Sequence, residues 1–359
     1  MASLPAGGAE RFAVDLSNEL SRNNDVYMVT FRDYPNADFY RPQLSSKIRQ
    51  IIYRGKFSIL SKLWQLFVVT YFLWRIKPEI IHTHTIAISY AVLYSLINNK
   101  VKVFYTVHNI AAKDTEKGIS TKMRKYLLKG RFRAVTISKE CERSFVDYYG
   151  YKSYATIENG CRDLVLSNQI EVVKREIREL CPTAQTKVYI CVARIMEVKN
   201  HIMLIEVFNR LAERGDDFIL LLIGKYDEGS ELKKRLDTVI RTERIHFMGT
   251  RTNIPDYLEC SDYFCLASLW EGMPISILEA GLSGCYPICT PVGGVVDVIK
   301  DNKWGCLSDE ISIDSFIKAI DRARNFSIDR DSLSELYKSR YTMARCAKEY
   351  FAVYRSFSI

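Results

Sequence analysis

Along the first 160 residues, short apolar runs rich in β-branched side chains alternate with longer segments whose apolar positions recur every three to four residues. The first pattern predicts strands at 26–31, 79–81, 101–107, 133–137 and 155–157. The second predicts helices at 58–74, 87–97 and 139–149, and one that opens at Gly7-Gly8-Ala-Glu-Arg11 and runs to about Ser21. Such alternation argues for a parallel sheet covered by helices on both faces. That architecture also calls for a full strand ahead of Gly7, where only residues 1–5 precede it.

Asn159-Gly160 marks a turn, and the polar stretch 161–168 reads as a domain boundary. The pattern then starts again, with strands expected at 188–192, 218–223, 245–248, 263–266 and 286–289. Helices are expected at 201–214, 230–241, 254–259, 275–282 and 295–299, followed by a helical tail from about 313 that ends in 341–357. A chain of 359 residues suits two such domains, drawn here as 1–165 and 166–340. No repeats of solenoid length and no low-complexity tracts interrupt them.

Polar and glycine residues gather just after the predicted strands: His108 after 101–107, Arg194 and Lys199 after 188–192, Gly224 after 218–223, Gly249 after 245–248 and Glu271 after 263–266. In open parallel sheets, ligands bind beyond the carboxyl ends of the strands. The densest cluster is Glu271-Gly-Met-Pro-Ile-Ser-Ile-Leu-Glu279, a strand-to-helix junction with Pro274 expected at the first helical position. Free amides around Gly272 to Ile275 would suit an anion. Two carboxylates beside such a cradle suggest hydroxyls as well, hence a sugar or ribose.

Charge adds an asymmetry. Residues 1–170 hold 25 basic against 14 acidic residues, a surplus of 11, while the remainder holds 26 against 28. Between Asp38 and Glu79 lie eight cations and no acid: Arg41, Lys47, Arg49, Arg54, Lys56, Lys62, Arg75 and Lys77. Eight more lie between Glu116 and Glu140: Lys117, Lys122, Arg124, Lys125, Lys129, Arg131, Arg133 and Lys139. Such a half should face an anionic partner. With Trp64, Phe67, Tyr71 and Trp74 supplying an aromatic edge, an anionic membrane surface is one reading, and a first-domain core with a solvated basic face is the other. No basic recognition helix or aromatic RNA-binding signature accompanies the charge, so nucleic acid is not expected.

The ten cysteines form no C-x-x-C pair and are expected to be reduced, mostly core thiols of a cytosolic protein. No signal peptide is visible, and the most apolar stretch, 63–74, is 12 residues long, short of the roughly 20 that a spanning helix needs. His82 and His84 sit at i, i+2 with no third ligand nearby and read as structural. Asp329-Arg330-Asp331 has a metal-binding D-x-D form but falls away from any strand end, so no metal is expected.

Together, Gly7-Gly8-Ala-Glu-Arg11, Asn159-Gly160, Val192-Ala-Arg194-x4-Lys199 and Glu271-x7-Glu279 resemble the retaining glycosyltransferases of the group-one, family-four class, over nearly the whole chain. The resemblance implies the GT-B fold, an α/β class with two Rossmann-like domains facing each other across a cleft. It also implies a C-terminal helix, 341–359, crossing back to the N-terminal, acceptor-binding domain. The implied donor is a nucleotide diphosphate sugar, with Arg194 and Lys199 on the diphosphate, Glu271 on the donor sugar and Glu279 on the ribose. Gly272, Met273, Pro274 and Ile275 would approach through their backbone, Gly249 would also line the donor site, and Gly7 and Gly8 would let the first loop come close. His108 would hydrogen-bond the reacting sugar. No enzyme nucleophile, metal or other cofactor is implied.

Family habit extends this to a saccharide or lipid-linked acceptor in bacterial surface polysaccharide biosynthesis, on the inner face of the cytoplasmic membrane. Two other classes stay open on the residues alone: a sugar-nucleotide epimerase on the same fold, and a non-catalytic module that binds sugar nucleotides or membranes.

Overall fold

The computed structural model describes residues 1–32, 38–55, 59–114, 121–227, 229–327 and 329–356. The chain forms two compact units: residues 1–162 together with 343–359, and residues 163–342. Among the described residues, no helix is long and apolar enough to cross a membrane.

The first unit holds β1 (Tyr27–Arg32), β2 (Arg49–Gly55), β3 (Ile80–His84), β4 (Lys102–Val107), β5 (Phe132–Thr136) and β6 (Ala155–Thr156). All pairings are parallel, but the strands fall into two sheets, β1-β2 and β3-β4-β5-β6. Residues 1–4 run beside β1, with the Met1 amine donating to Val29 O (3.2 Å) and Phe31 N–H donating to Ala2 O (3.0 Å). Leu4 is fully buried there. The last helix, Met343–Ser356, packs against the helix Gly8–Leu20 and reaches the sheet through Tyr350 OH, 3.0 Å from Thr106 Oγ1.

β2 was not expected. Its sequence, Arg49-Gln-Ile-Ile-Tyr-Arg-Gly, is apolar for only three residues, and pairing to β1 rather than pattern makes it a strand. Helices Thr121–Lys129 and Ile170–Leu180 are likewise additions to the expected elements. Both are charge-rich, so their amphipathic period is carried by few apolar residues. Ser58 and Phe357, the expected ends of two helices, lie outside the described residues, as do Lys56 and Lys117.

The second unit holds β7 (Lys187–Val192), β8 (Phe218–Ile223), β9 (Ile245–Gly249), β10 (Tyr263–Leu266), β11 (Tyr286–Cys289) and β12 (Cys306–Leu307). They form one parallel sheet in the order β12-β11-β10-β7-β8-β9. β8, Phe218-Ile-Leu-Leu-Leu-Ile, is buried at every position, as a strand covered on both faces must be. From β7 the chain winds outward through β8 and β9, then returns to β10 on the other side of β7. The order therefore reverses between β7 and β10, which makes the carboxyl ends of those two strands the switch point of the sheet.

All ten cysteines are free, eight of them buried. Burial raises the thiol pKa values of Cys191, Cys265, Cys285, Cys289, Cys306 and Cys346, that of Cys191 to about 12, so these are inert core residues. Asp329 caps the helix Arg330–Lys338, accepting from Ser332 N–H (2.8 Å), and Arg330 donates to the carbonyls of Ser261, Leu258 and Ser283. The D-x-D sequence is thus a helix cap with a structural arginine inside it.

Candidate functional site

At the switch between β7 and β10, the two departing loops meet. Leu269 N–H donates to Val198 O (2.8 Å), and Lys199 Nζ donates to Glu271 Oε1 as an ion pair. The Glu271 side chain is only 10% exposed and that of Lys199 18%, so the pair is largely withdrawn from water. Ser268 Oγ adds a second hydrogen bond to the same Oε1 (2.6 Å). Among the described residues, Glu271 Oε2 has no partner and keeps its acceptor capacity.

The backbone beneath Glu271 is held by the loop after β11. Gly294 N–H donates to Gly272 O (2.7 Å), and Thr290 Oγ1 donates to Ser268 O (2.7 Å). Gly293 has φ +50°, and a Cβ built there would stand 1.8 Å from Glu271 O. No side chain fits at that position. Ser268, Thr290, Gly293 and Gly294 are therefore parts of the site that the sequence reading missed. The signal was present as the Gly293-Gly294 pair following the buried strand 286–289.

On the other side of β7, backbones also touch. Ala193 N–H donates to Ile223 O (2.9 Å) and Ile195 N–H to Lys225 O (3.0 Å). A Cβ at Gly224 would lie 1.9 Å from Ala193 O. Gly224 N–H in turn donates to Gly249 O (2.9 Å), and Gly249 takes φ +69° at the end of β9. Gly249 thus closes one end of a backbone shelf that runs along the strand ends through Gly224 and Ala193 to Lys199 and Glu271. Arg194 stands exposed on this shelf, with no hydrogen bond or ion pair among the described residues.

Helix Ile275–Leu282 begins at the expected residue, but Pro274 is its N-cap, with ψ 125°, and not its first helical residue. The missing N–H of proline costs nothing at either position. Gly272 and Met273 are buried, Pro274 is half-buried, and Glu279, just over one turn into the helix, is 9% exposed.

His108, Gly7 and Gly8 belong to the first unit. Gly7 is the extended N-cap of the helix Gly8–Leu20, and a Cβ at Gly8 would meet open space, so nothing within the unit demands glycine there. Phe12, one turn further, sets its ring edge-on against His108 at 5.5 Å and His84 at 6.1 Å. His108 Nε2 and His84 Nδ1 share a hydrogen bond of 2.9 Å. His82 is held by Thr106 Oγ1 (2.7 Å, at Nε2) and Tyr354 OH (2.6 Å, at Nδ1), so both its nitrogens are engaged within the protein. Burial pushes the His82 and His108 pKa values down to about 3 and that of His84 well below its usual value. At neutral pH these rings are uncharged hydrogen-bonding groups.

The basic runs divide. Arg124 is fully buried, paired with Asp114 (3.1 Å) and donating to Tyr105 OH (2.8 Å), so it is a core residue and not a surface cation. Lys47, Arg49, Arg75, Lys77, Lys122, Lys125, Lys129 and Lys139 are exposed. The aromatics expected either on a surface or in the core are on the surface: Trp64, Phe67, Tyr71 and Trp74 are each more than half exposed on the helix Ile59–Ile76. Their spacing of three, four and three residues gathers them on one face. Gln65, Val69 and Leu73 turn inward instead.

Comparison with known proteins agrees with this architecture. Residues 6–162 match Glycosyltransferase Family 4, and residues 173–339 match Glycosyl transferases group 1. The chain belongs to the group 1 glycosyl transferases. It has the GT-B fold. Anabaena HepE, solved in complex with UDP and glucose, superposes on 99% of this glycosyltransferase and 98% of its own chain, with a TM-score of 0.81 at 16% identity. Over 138 residues the present chain is 33% identical to an Escherichia coli UDP-Gal:alpha-D-GlcNAc-diphosphoundecaprenol alpha-1,3-galactosyltransferase, covering 38% of this chain and 36% of that one. A Campylobacter jejuni alpha-1,4-N-acetyl-D-galactosaminyltransferase, named for a diNAcBac-PP-undecaprenol-linked acceptor, is 20% identical over 343 residues, 91% of this chain and 89% of that one.

Proposed function

We propose that this glycosyltransferase moves a sugar, with retention and without a metal ion, from a nucleoside diphosphate sugar to a lipid-linked saccharide acceptor in surface polysaccharide biosynthesis. The observation that carries the reading is the Lys199–Glu271 pair at the switch point of the second sheet, beside the exposed Arg194. A diphosphate set on this shelf meets a guanidinium fork from Arg194 and a point charge from Lys199. Those cations stabilise the charge that grows on the leaving diphosphate as the glycosidic bond breaks. As the phosphate draws on Lys199, Glu271 is left to accept hydrogen bonds from sugar hydroxyls, through Oε2 first. Glu279 takes the ribose hydroxyls, and the backbone from Gly272 to Ile275 lies against sugar and phosphate. His108, neutral, donates or accepts a hydrogen bond at the reacting sugar. Retention follows if the acceptor attacks from the face that the leaving group departs, with the departing phosphate taking the acceptor's proton.

The acceptor assignment draws on the undecaprenol-linked substrates in the names of the two relatives. The aromatic face of the helix Ile59–Ile76, with Arg75 and Lys77 beside it, supports peripheral binding to the anionic inner face of the cytoplasmic membrane. The test is a thermal shift with a panel of sugar nucleotides in chelator, followed by mass spectrometry of transfer to lipid-linked acceptors and NMR of the new anomeric centre. Donor binding in chelator and an unchanged anomeric configuration support the reading. A strict Mn2+ requirement or an inverted product overturns it.

A further inference from the structure

Histidine rings meet where β3 and β4 end. In the register of those strands His84 pairs with Thr106 and closes β3, while His108 follows β4 directly. His84 is buried and His108 is half-buried. Among the described residues, the 2.9 Å contact between His84 Nδ1 and His108 Nε2 is the one hydrogen bond that either ring makes. Packing limits how far the rings can turn: Phe12 lies edge-on to both, and the His82 ring, engaged at both its nitrogens, stands 4.3 Å from that of His84. Directly after His84 the chain turns at Thr85 with φ +52°. A β-branched residue is strained there, and such strain persists only where the surroundings over-determine it.

Both rings are uncharged at neutral pH, so each carries one N–H and one proton lies in their contact. Donation by His84 would put both rings in the Nδ1–H form. Donation by His108 puts both in the Nε2–H form, which a neutral imidazole substituted at Cγ favours. The second arrangement also suits the surroundings. His84 borders the cavity of ≈600 Å³ between β1 and β3, and neither His84 Nε2 nor His108 Nδ1 is a sealed atom without a partner. We propose that His84 is a positioning residue for the transfer reaction: it accepts the Nε2–H of His108, fixes the tautomer and rotation of that ring, and leaves the bare Nδ1 of His108 to accept a hydrogen bond from a hydroxyl of the reacting sugar. This assignment rests on the placement of His108 at the sugar given under the proposed function.

The experiment uses the full chain with ¹⁵N-labelled histidine, whose five rings can be told apart by single substitutions. Without substrate, long-range ¹H–¹⁵N spectra should show His108 protonated at Nε2 and bare at Nδ1. His84→Phe keeps a ring but removes the acceptor, so both tautomers of His108 should appear. His84→Asn sets an amide oxygen where Nδ1 stood and should restore one tautomer. In the transfer assay His84→Phe should lower kcat about tenfold with donor affinity unchanged, and His84→Asn should return it to within about threefold of the parent. Adding His84→Phe to His108→Ala should cost nothing further, because the first acts through the second. A proton on Nδ1 of His108 in the unsubstituted chain, equal losses in the Phe and Asn variants, or losses that multiply in the double variant each overturn the proposal. Full activity of His84→Phe beside an impaired His108→Ala overturns it alone, and full activity of both overturns the placement of His108 as well.

Discussion

The two units are built from the same α/β elements, yet they hold their candidate residues by different means. In the second, Glu271 and Lys199 rest on backbone touching backbone: Gly293 against Glu271 O, Gly224 against Ala193 O, Gly294 N–H on Gly272 O. In the first, His108 is held by side chains, with His84 bonded to it and Phe12 against its ring. A backbone contact admits only glycine at the point of approach, so it leaves a mark in the sequence. A ring packed on a ring does not, because many residues can fill such a space.

The largest effects should separate the two halves by catalytic loss. Lys199→Ala and Glu271→Ala should each lower kcat by about 10²–10³-fold, and His108→Ala by about 10²-fold or less, in a transfer assay with the identified donor. Unchanged turnover in the first two would remove the site assignment and with it the contrast. Next comes the backbone support. Gly293→Ala must move Glu271 and adopt a strained φ, so it should destabilise the second unit by about 1–3 kcal/mol in urea unfolding. A Gly8→Ala change, facing open space, should leave stability within about 0.5 kcal/mol. If the two substitutions cost the same, the backbone argument fails.

A smaller change should follow Trp64→Ser with Trp74→Ser, which removes apolar surface from the exposed face without touching the shelf. Binding to vesicles containing anionic lipid should weaken about tenfold, equivalent to ~1.4 kcal/mol, while donor affinity stays constant. Binding that ignores the double substitution would detach the membrane reading from this helix.

A last contrast lies in pH dependence. His82 is neutral in the fold down to about pH 3 and titrates near 6.5 when unfolded, so the unfolded chain binds the extra proton between those values. The contribution of His82 to the stability of the first unit should therefore be constant above pH ~6.5 and fall as pH drops toward 3. His82→Gln, which carries no titrating ring, should flatten that slope in pH-resolved urea unfolding. An unaltered slope would show that the burial of His82 contributes nothing to it.

Much of the second unit was legible because a strand such as Phe218–Ile223, covered on both faces, is apolar at every position, and because helix Ile275–Leu282 is bounded by Pro274 and a clean apolar period. The first unit was less legible for a related reason. Arg124 lies inside a run of cations, and only its pairing with Asp114 and Tyr105 draws it into the core. β2 carries a strand's geometry on a weakly apolar segment because β1 offers it a ladder.

Legible in the residues alone were the two α/β halves, the placement of chemistry at strand ends and the family to which Arg194, Lys199, Glu271 and Glu279 point. All of these follow from local periodicity and from residue types whose backbone demands are strict. Folding was needed to bond Lys199 to Glu271, to turn the aromatics of Ile59–Ile76 outward and to set β1 and β3 around a common cavity. Each of those depends on which distant segments the sheet order brings side by side, and strand order is set by packing across the whole unit, which no local stretch of sequence encodes.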